Sequence, residues 1–157
     1  MSAAPASARL AYANIIARDI DGLSGFYCAL FGFAEIESHR SPIYRCLDAD
    51  GIELGFNAQM AYALLGLPPA DPDGGVRTHL TFETRSVDDV TQLAARACEL
   101  GGAILKPAYD TYYNARQCVL ADPEGNVFRL NFRKGPRLSA EAVTDAPWKR
   151  QGARRPP

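Results

Sequence analysis

Two histidines, His39 and His79, and four cysteines, Cys28, Cys46, Cys98 and Cys118, are the strongest metal-ligating side chains among the 157 residues. A three-histidine metal site within one chain is therefore excluded, and no C-x-x-C pair is present to suggest structural zinc or redox work. Any metal centre must lean on carboxylates, and carboxylate with imidazole is also the pairing that moves protons near neutral pH. Glu53 stands out because it interrupts the alternating segment IELGFN. Residues two apart on a strand share a face, so Glu53, Gly55 and Asn57 lie together and Ile52, Leu54 and Phe56 lie opposite. The same alternation groups Tyr12 with Asn14 and Ile16, and Val127 with Arg129 and Asn131. Glu53 has a second reading as a solvent-facing strand residue, and His79 one as a half-buried histidine bonded to nearby backbone.

A second informative stretch is KPAYDTYYNARQ, where Tyr109, Tyr112 and Tyr113 lie among Asp110, Thr111 and Asn114. Tyrosines supply rigid contact area with a polar tip, which suits a cavity rim or a dimer contact. A turn packed by its own aromatics fits equally well. His39 and Arg40, just before Ser41-Pro42, read as a solvated turn, and Phe26-Tyr27 reads as core.

The elements that must position these residues follow a repeated order. Arg9–Arg18 has the β-branched and aromatic content of a strand. Asp19 then opens a helix whose apolar residues (Ile20, Leu23, Phe26, Tyr27, Leu30, Phe31) recur at three and four, and Gly32 stops it. Extended pieces follow at Phe33–Ser38, Tyr44–Leu47 and Ile52–Asn57, with a helical turn at Ala61–Leu67. PPADPDGG is a connector. The order then restarts with a strand at Val76–Thr84. A helix follows, capped by Ser86 with Asp89 three residues on, its apolar face made by Val90, Leu93, Ala94, Ala97 and Leu100. Strands follow at Ala103–Leu105, Gln117–Leu120 and Asn126–Phe132. The chain thus divides into a flexible N-terminus (1–7), a first βαβββ module (8–67), a linker (68–75), a second βαβββ module (76–132) and a tail (133–157). Neither module is large enough to bury much surface alone.

Composition narrows the function classes. The chain is 47% hydrophobic and 22% charged, which are globular proportions. No apolar run approaches the roughly 18 residues of a membrane span, and MSAAPASA has neither the basic start nor the apolar stretch of a secretory signal. Residues 1–132 hold 16 acidic and 10 basic side chains, which argues against a nucleic-acid surface there. The tail holds 7 basic and 2 acidic ones and is rich in Pro, Gly and Arg, a pattern for a mobile or draped terminus on which only Trp148 is suited to dock. Cys28, Cys98 and Cys118 fall among apolar residues, as small hydrophobes do. That placement suits a reducing compartment and hence a cytoplasmic location.

AYANIIARDIDGLSGFYCALFGF resembles the opening of vicinal oxygen chelate proteins, with a strand, an Asp, Phe-Tyr on the helix and then Gly-Phe. THLTFETRSVDDV and ADPEGNVFRLNF repeat the resemblance, the latter close to the superfamily's D-P-x-G-N ending. It covers residues 8–132. The superfamily includes glyoxalase I, bleomycin-resistance proteins and extradiol dioxygenases. The resemblance implies an α+β fold in which two βαβββ modules form cupped half-barrels around a cavity. Metal-using members carry one ligand on the first and one on the last strand of each module. Carried over by position, those ligands fall on Tyr12, Glu53, His79 and Arg129. Glu53 and Asn57 match the superfamily's I-E-L-x-x-N strand, and His79 matches the histidine that opens the second module. Tyr12 replaces a His or Gln, and Arg129 replaces a Glu.

Tyrosine, with a pKa of about 10, is a poor ligand at neutral pH. Arginine offers only donors and cannot coordinate. It also opposes a dication, by about 4 kcal/mol per unit of charge at ~4 Å and an effective dielectric of ~20. An iron triad of two histidines and a carboxylate cannot be built with Tyr12 in the first position. The resemblance thus implies a protein that binds a small organic ligand in a polar cavity without the usual divalent metal and with no other cofactor. Tyr12, Asn14, Asn57, Tyr112, Tyr113 and Arg129 would contact the ligand, and Glu53 and His79 are the catalytic candidates should a reaction occur. The alternative is a metal-dependent glyoxalase-like lyase or isomerase using Glu53 and His79. A homodimer is implied by the resemblance, and neither nucleic acid nor membrane is an expected partner.

Overall fold

Strand β1 (Tyr12–Ala17) leads into helix α1 (Ile20–Phe31), whose ends carry the signals the sequence supplies. The Asp19 side chain accepts from Gly22 N at 2.9 Å, and Gly32 adopts φ 71° while its N–H closes on Cys28 O at 2.8 Å. Gly22 and Gly25 weaken α1 intrinsically, so packing must hold it. Leu23, Phe26, Tyr27 and Leu30 are all buried, and the Tyr27 ring lies 5.5 Å from that of Phe56. Next come β2 (Ala34–Glu35), a 3-10 turn (Glu37–His39), β3 (Tyr44–Asp48), β4 (Glu53–Ala58) and the short helix α2 (Ala61–Leu64). The sheet order is β1-β4-β3-β2, with β1 parallel to β4 and the other pairs antiparallel. The computed structural model describes residues 7–136, 138–139, 141–144 and 146–151. The expected flexible N-terminus therefore lies outside the described residues except for Ser7, as do residues 152–157 of the tail.

The second half repeats this order. β5 (Leu80–Glu83) precedes α3 (Val87–Glu99), and Ser86 Oγ accepts from Asp89 N at 3.1 Å as the N-cap. β6 (Ala103–Asp110), β7 (Ala115–Ala121) and β8 (Val127–Arg133) complete a sheet ordered β5-β8-β7-β6, again with the first pair parallel. Val90, Ala94 and Ala97 of α3 are buried, as are Cys118, Leu120, Phe128 and Leu130 of the sheet. A last helix, α4 (Pro147–Gln151), belongs to the tail. The chain divides into two compact units, Met1–Gly74 and Gly75–Pro157. Each is a four-stranded mixed sheet with helices, an α+β architecture. No helix among the described residues is long and apolar enough to cross a membrane.

Some boundaries differ from the sequence reading, each for a local reason. Phe33–Ser38 does not run on as a strand: after Ile36 N bonds Cys46 O, His39 N and Arg40 N turn back onto Ile36 O and Glu37 O. β5 is shorter than Val76–Thr84 because only Leu80–Glu83 has ladder partners on β8. β6 is longer than Ala103–Leu105 and absorbs half of the expected tyrosine loop. Its register shifts between Ile104 and Tyr109 accommodate Pro107, which has no N–H to give to a ladder. Cys98 is exposed on α3 rather than packed among apolar residues. The described part of the tail is docked within the second unit. Val143 and Ala146 are buried, and Lys149 Nζ donates to Glu141 O at 3.1 Å and Val143 O at 2.6 Å.

Candidate functional site

In the first unit, ladder register sets Tyr12 opposite Glu53, both Asn14 and Cys46 opposite Gly55, and Tyr44 opposite Asn57. These residues share one face of the sheet, while Leu54 and Phe56 point the other way and are buried. Asn57 Nδ2 donates to Asn14 Oδ1 at 3.2 Å. Gly55 leaves room for this crowding: a Cβ there would press into Asn14 Oδ1 and lie 2.5 Å from Tyr44 Oη. Glu53 Oε2 accepts from the Cys46 thiol at 3.5 Å and lies 3.6 Å from His39 Nδ1. Burial pushes the Cys46 thiol above its ordinary pKa, and neighbouring Glu53 adds to this, while a hydrogen bond to Tyr44 pulls the other way. Burial likewise pushes the Tyr44 hydroxyl up strongly. Tyr12 is 45% exposed.

In the second unit, Arg129 lies opposite Thr81, and its Nε donates to Thr81 Oγ1 at 3.0 Å. Around it runs a polar network whose centre, Gln117 and Asn131, is buried and whose edge, Glu83, is exposed. Gln117, 2% exposed, gives Nε2 to Tyr113 Oη at 2.6 Å and to Asn131 Oδ1 at 3.2 Å. Its Oε1 accepts from the Tyr109 hydroxyl at 2.5 Å. Asn131 Nδ2 donates to Glu83 Oε2 at 2.6 Å, and Glu83 Oε1 accepts from Arg133 N at 2.7 Å. Burial raises the Tyr109 pKa, and Lys106 Nζ sits 3.7 Å above its ring. Above this floor lies a cavity of about 790 Å³. Thr81, Glu83, Arg129 and Asn131 contribute to its lining from the sheet, and Tyr112, Tyr113 and Trp148 bring aromatic surface. Tyr112 makes edge-on contacts with Tyr113 (5.0 Å) and Trp148 (5.4 Å). His79 is exposed immediately before β5, and the residue opposite Arg129 is Thr81.

The structure thus groups Tyr12, Asn14, Glu53 and Asn57 on one face of the first unit. It groups Tyr112, Tyr113 and Arg129 around the cavity of the second. Two contributors escaped the sequence reading. His39 lies in an exposed turn, as expected, and that 3-10 turn also brings its imidazole to Glu53. Gln117 lay inside the tyrosine segment without being singled out. Its signal was parity, since it alternates with the apolar pair Cys118 and Leu120 in ARQCVLA.

A family model described as the Glyoxalase/Bleomycin resistance protein/Dioxygenase superfamily matches residues 9–130. The chain belongs to this superfamily. Among solved structures it is similar to a glyoxalase/bleomycin resistance protein/dioxygenase family enzyme from Burkholderia phytofirmans PsJN, at 45% identity and a TM-score of 0.76, over 80% of this chain and 98% of that one. A glyoxalase-related enzyme from Fulvimarina pelagi is 23% identical with a TM-score of 0.71, over 88% and 98%. A glyoxalase/bleomycin resistance protein/dioxygenase from Nocardioides is 18% identical with a TM-score of 0.69, over 87% and 91%. No match to a curated protein was found.

The superfamily's usual divalent metal can be tested against the residues that stand at its ligand positions. Arg129 acts here as a donor to Thr81, and a guanidinium has no lone pair to give a cation. Tyr12 would have to ionise to coordinate well. Glu53 keeps its carboxylate, already engaged by Cys46 and His39. Glyoxalase-type four-ligand chemistry does not fit this donor set.

Proposed function

We propose that this superfamily member binds a small organic molecule carrying an aromatic or apolar body and an oxygen-rich, preferably anionic, group, without the superfamily's usual metal. The observation that carries this reading is the cavity of the second unit, with Arg129 on its floor and Tyr112, Tyr113 and Trp148 around it. About 790 Å³ lies within the range of small-molecule sites, which are largely apolar with a few placed polar groups. Among the described residues Arg129 is held by one hydrogen bond, to Thr81, and its other guanidinium donors suit a carboxylate or similar oxyanion. The network through buried Gln117 and Asn131 to exposed Glu83 fixes the floor, and pre-organisation of this kind limits the entropy lost on binding. Homodimerisation belongs to the same reading, resting on the resemblance alone.

A thermal-shift screen of small aromatic carboxylates, phenols and neutral analogues, run with and without chelator, tests this. A ligand at about 100 times its Kd stabilises by about 2.7 kcal/mol. In a protein of this size that is a rise of roughly 5–11 °C. The stabilisation should survive chelation and fall in Arg129→Ala. Anions that stabilise no better than their neutral analogues, or stabilisation unaltered in Arg129→Ala, would defeat the reading.

A second reading, a metal-dependent glyoxalase-like lyase or isomerase using Glu53 and His79, is favoured by one fact: the 45% identical relative is described as an enzyme. Against it stand the chemistry of Arg129 and the engagement of the Glu53 carboxylate by Cys46 and His39. Dication stabilisation that is lost in both Glu53→Ala and His79→Ala would favour it over the binder.

A further inference from the structure

Outside the cavity, one cluster of side chains among the described residues has a chemistry that neither the fold nor the ligand reading uses. His39 Nδ1, Cys46 Sγ and a Glu53 carboxylate oxygen all lie within 4.8 Å of one another. They come from three consecutive elements of the first unit. The 3-10 turn supplies His39, β3 supplies Cys46 and β4 supplies Glu53. The turn is fixed to β3 by Ile36 N on Cys46 O at 2.8 Å, and to itself by His39 N on Ile36 O at 3.0 Å. On its far side, Arg40 Nε bonds Glu35 Oε1 at 2.8 Å, and Arg40 Nη2 bonds Glu35 Oε2. These bonds hold the imidazole close to the carboxylate without help from a ligand.

We propose that His39, Cys46 and Glu53 form a binding site for a zinc-type divalent cation within the first unit. It shares only Glu53 with the four positions at which the superfamily carries metal ligands, and its other donors come from the same unit. The donor types are one imidazole, one thiolate and one carboxylate, a mixture that suits borderline-soft Zn²⁺ better than Mg²⁺ or Ca²⁺. The spacing suits it too. Tetrahedral zinc with ordinary bond lengths sets neighbouring donors about 3.3–3.7 Å apart. The Cys46–Glu53 and His39–Glu53 separations are 3.5 and 3.6 Å. As the metal–sulfur bond forms, the Cys46 proton leaves to solvent, and the cation replaces the thiol–carboxylate hydrogen bond. The His39 and Glu53 side chains are 38% and 32% exposed, so the fourth corner is open to water or to an oxygen of a ligand. This inference does not rest on ligand binding at Arg129, and the two can fail separately.

The test uses the full chain with exposed Cys98 replaced (Cys98→Ala), titrated with Zn²⁺ against a chromophoric chelator and with Co²⁺ followed by absorbance. The expected result is one equivalent of metal per chain and a thiolate-to-cobalt charge-transfer band in the near ultraviolet. His39→Ala and Glu53→Gln should each weaken zinc binding by at least about tenfold, on the scale of losing a supporting group at a metal site. Cys46→Ser should abolish the band while leaving Arg129-dependent ligand binding intact. Should buried Cys46→Ser fail to fold, His39→Ala on its exposed turn and the parent's cobalt spectrum still decide the matter. No stoichiometric zinc, no thiolate band, or an affinity unmoved by His39→Ala overturns the site.

Discussion

On the polar face of the first unit, the strand parallel to β1 carries Glu53, Gly55 and Asn57, whereas its counterpart in the second unit carries Arg129, Asn131 and Arg133. The two sheets otherwise agree in strand order, in one parallel pair, and in a helix capped by a short polar side chain. All three positions differ, and the middle one decides how each face is filled. Gly55 has no side chain, so Asn14 and Tyr44 close over it and the face is filled by its own strands. Asn131 has one, and it joins Gln117 to Glu83 in a network that underlies an open cavity. One frame therefore yields a compact donor cluster in one unit and a ligand-sized hollow in the other. Side chains at matched ladder positions set the floor of each face, and parts without a counterpart, the 3-10 turn in the first unit and the tail in the second, complete the cluster and the cavity.

Gln117→Leu should break this contrast most severely. Leucine cannot reach Tyr113, Asn131 or Tyr109, and Asn131 Oδ1 would lose its partner in a nearly dry place. An orphaned buried polar group costs about 1–3 kcal/mol, so chemical denaturation should show a loss toward the upper end of that range. Affinity for any cavity ligand should fall with it. A loss below about 0.5 kcal/mol, the size of an ordinary surface change, would mean that the network does not hold the floor.

Gly55→Ala probes the filled face and should cost less. The new Cβ meets the ends of Asn14 and Tyr44, which can rotate aside, so about 1 kcal/mol is expected, at the low end for overpacking. The hydrogen bond between Asn14 and Asn57 should break first. An unchanged denaturation midpoint would show that the first unit's face is looser than the structure describes, and the contrast with the second unit would shrink accordingly.

Much of this frame was legible in the sequence because it rests on local signals. Asp19 and Gly32 mark the ends of α1, Ser86 the start of α3, and alternation in IELGFN sets Glu53 apart from Leu54 and Phe56. The duplication of βαβββ followed from the same grammar. The candidate site was legible only in part. Tyr112, Tyr113 and Arg129 line the cavity, but the floor beneath them is tied by long-range bonds: Arg129 to Thr81 spans 48 residues, as does Asn131 to Glu83. The approach of His39 to Glu53 depends on where a three-residue turn leaves β2. Nothing in Glu-Ser-His-Arg-Ser-Pro states that.

The smallest expected difference between the units is electrostatic and exposed. Each holds one carboxylate below its ordinary pKa by a hydrogen-bonded cation: Glu35 by Arg40 in the first, and Asp110 by Lys134 in the second. A depressed folded-state pKa means that the unfolded chain takes up protons first. The stabilisation is therefore complete above the unfolded values of about 4.3 for Glu and 3.9 for Asp. It is lost as pH falls through the lower folded values. Arg40→Ala and Lys134→Ala should each be slightly less stable than the parent at pH 7, with the gap closing below about pH 4. Arg40 grips Glu35 with two nitrogens, whereas Lys134 offers Asp110 a single point of charge, so the Arg40 gap should be the wider. Denaturation curves at a series of pH values would read both. A gap that persists undiminished into acid would trace to lost packing of the long side chains rather than to their charge, because packing does not titrate.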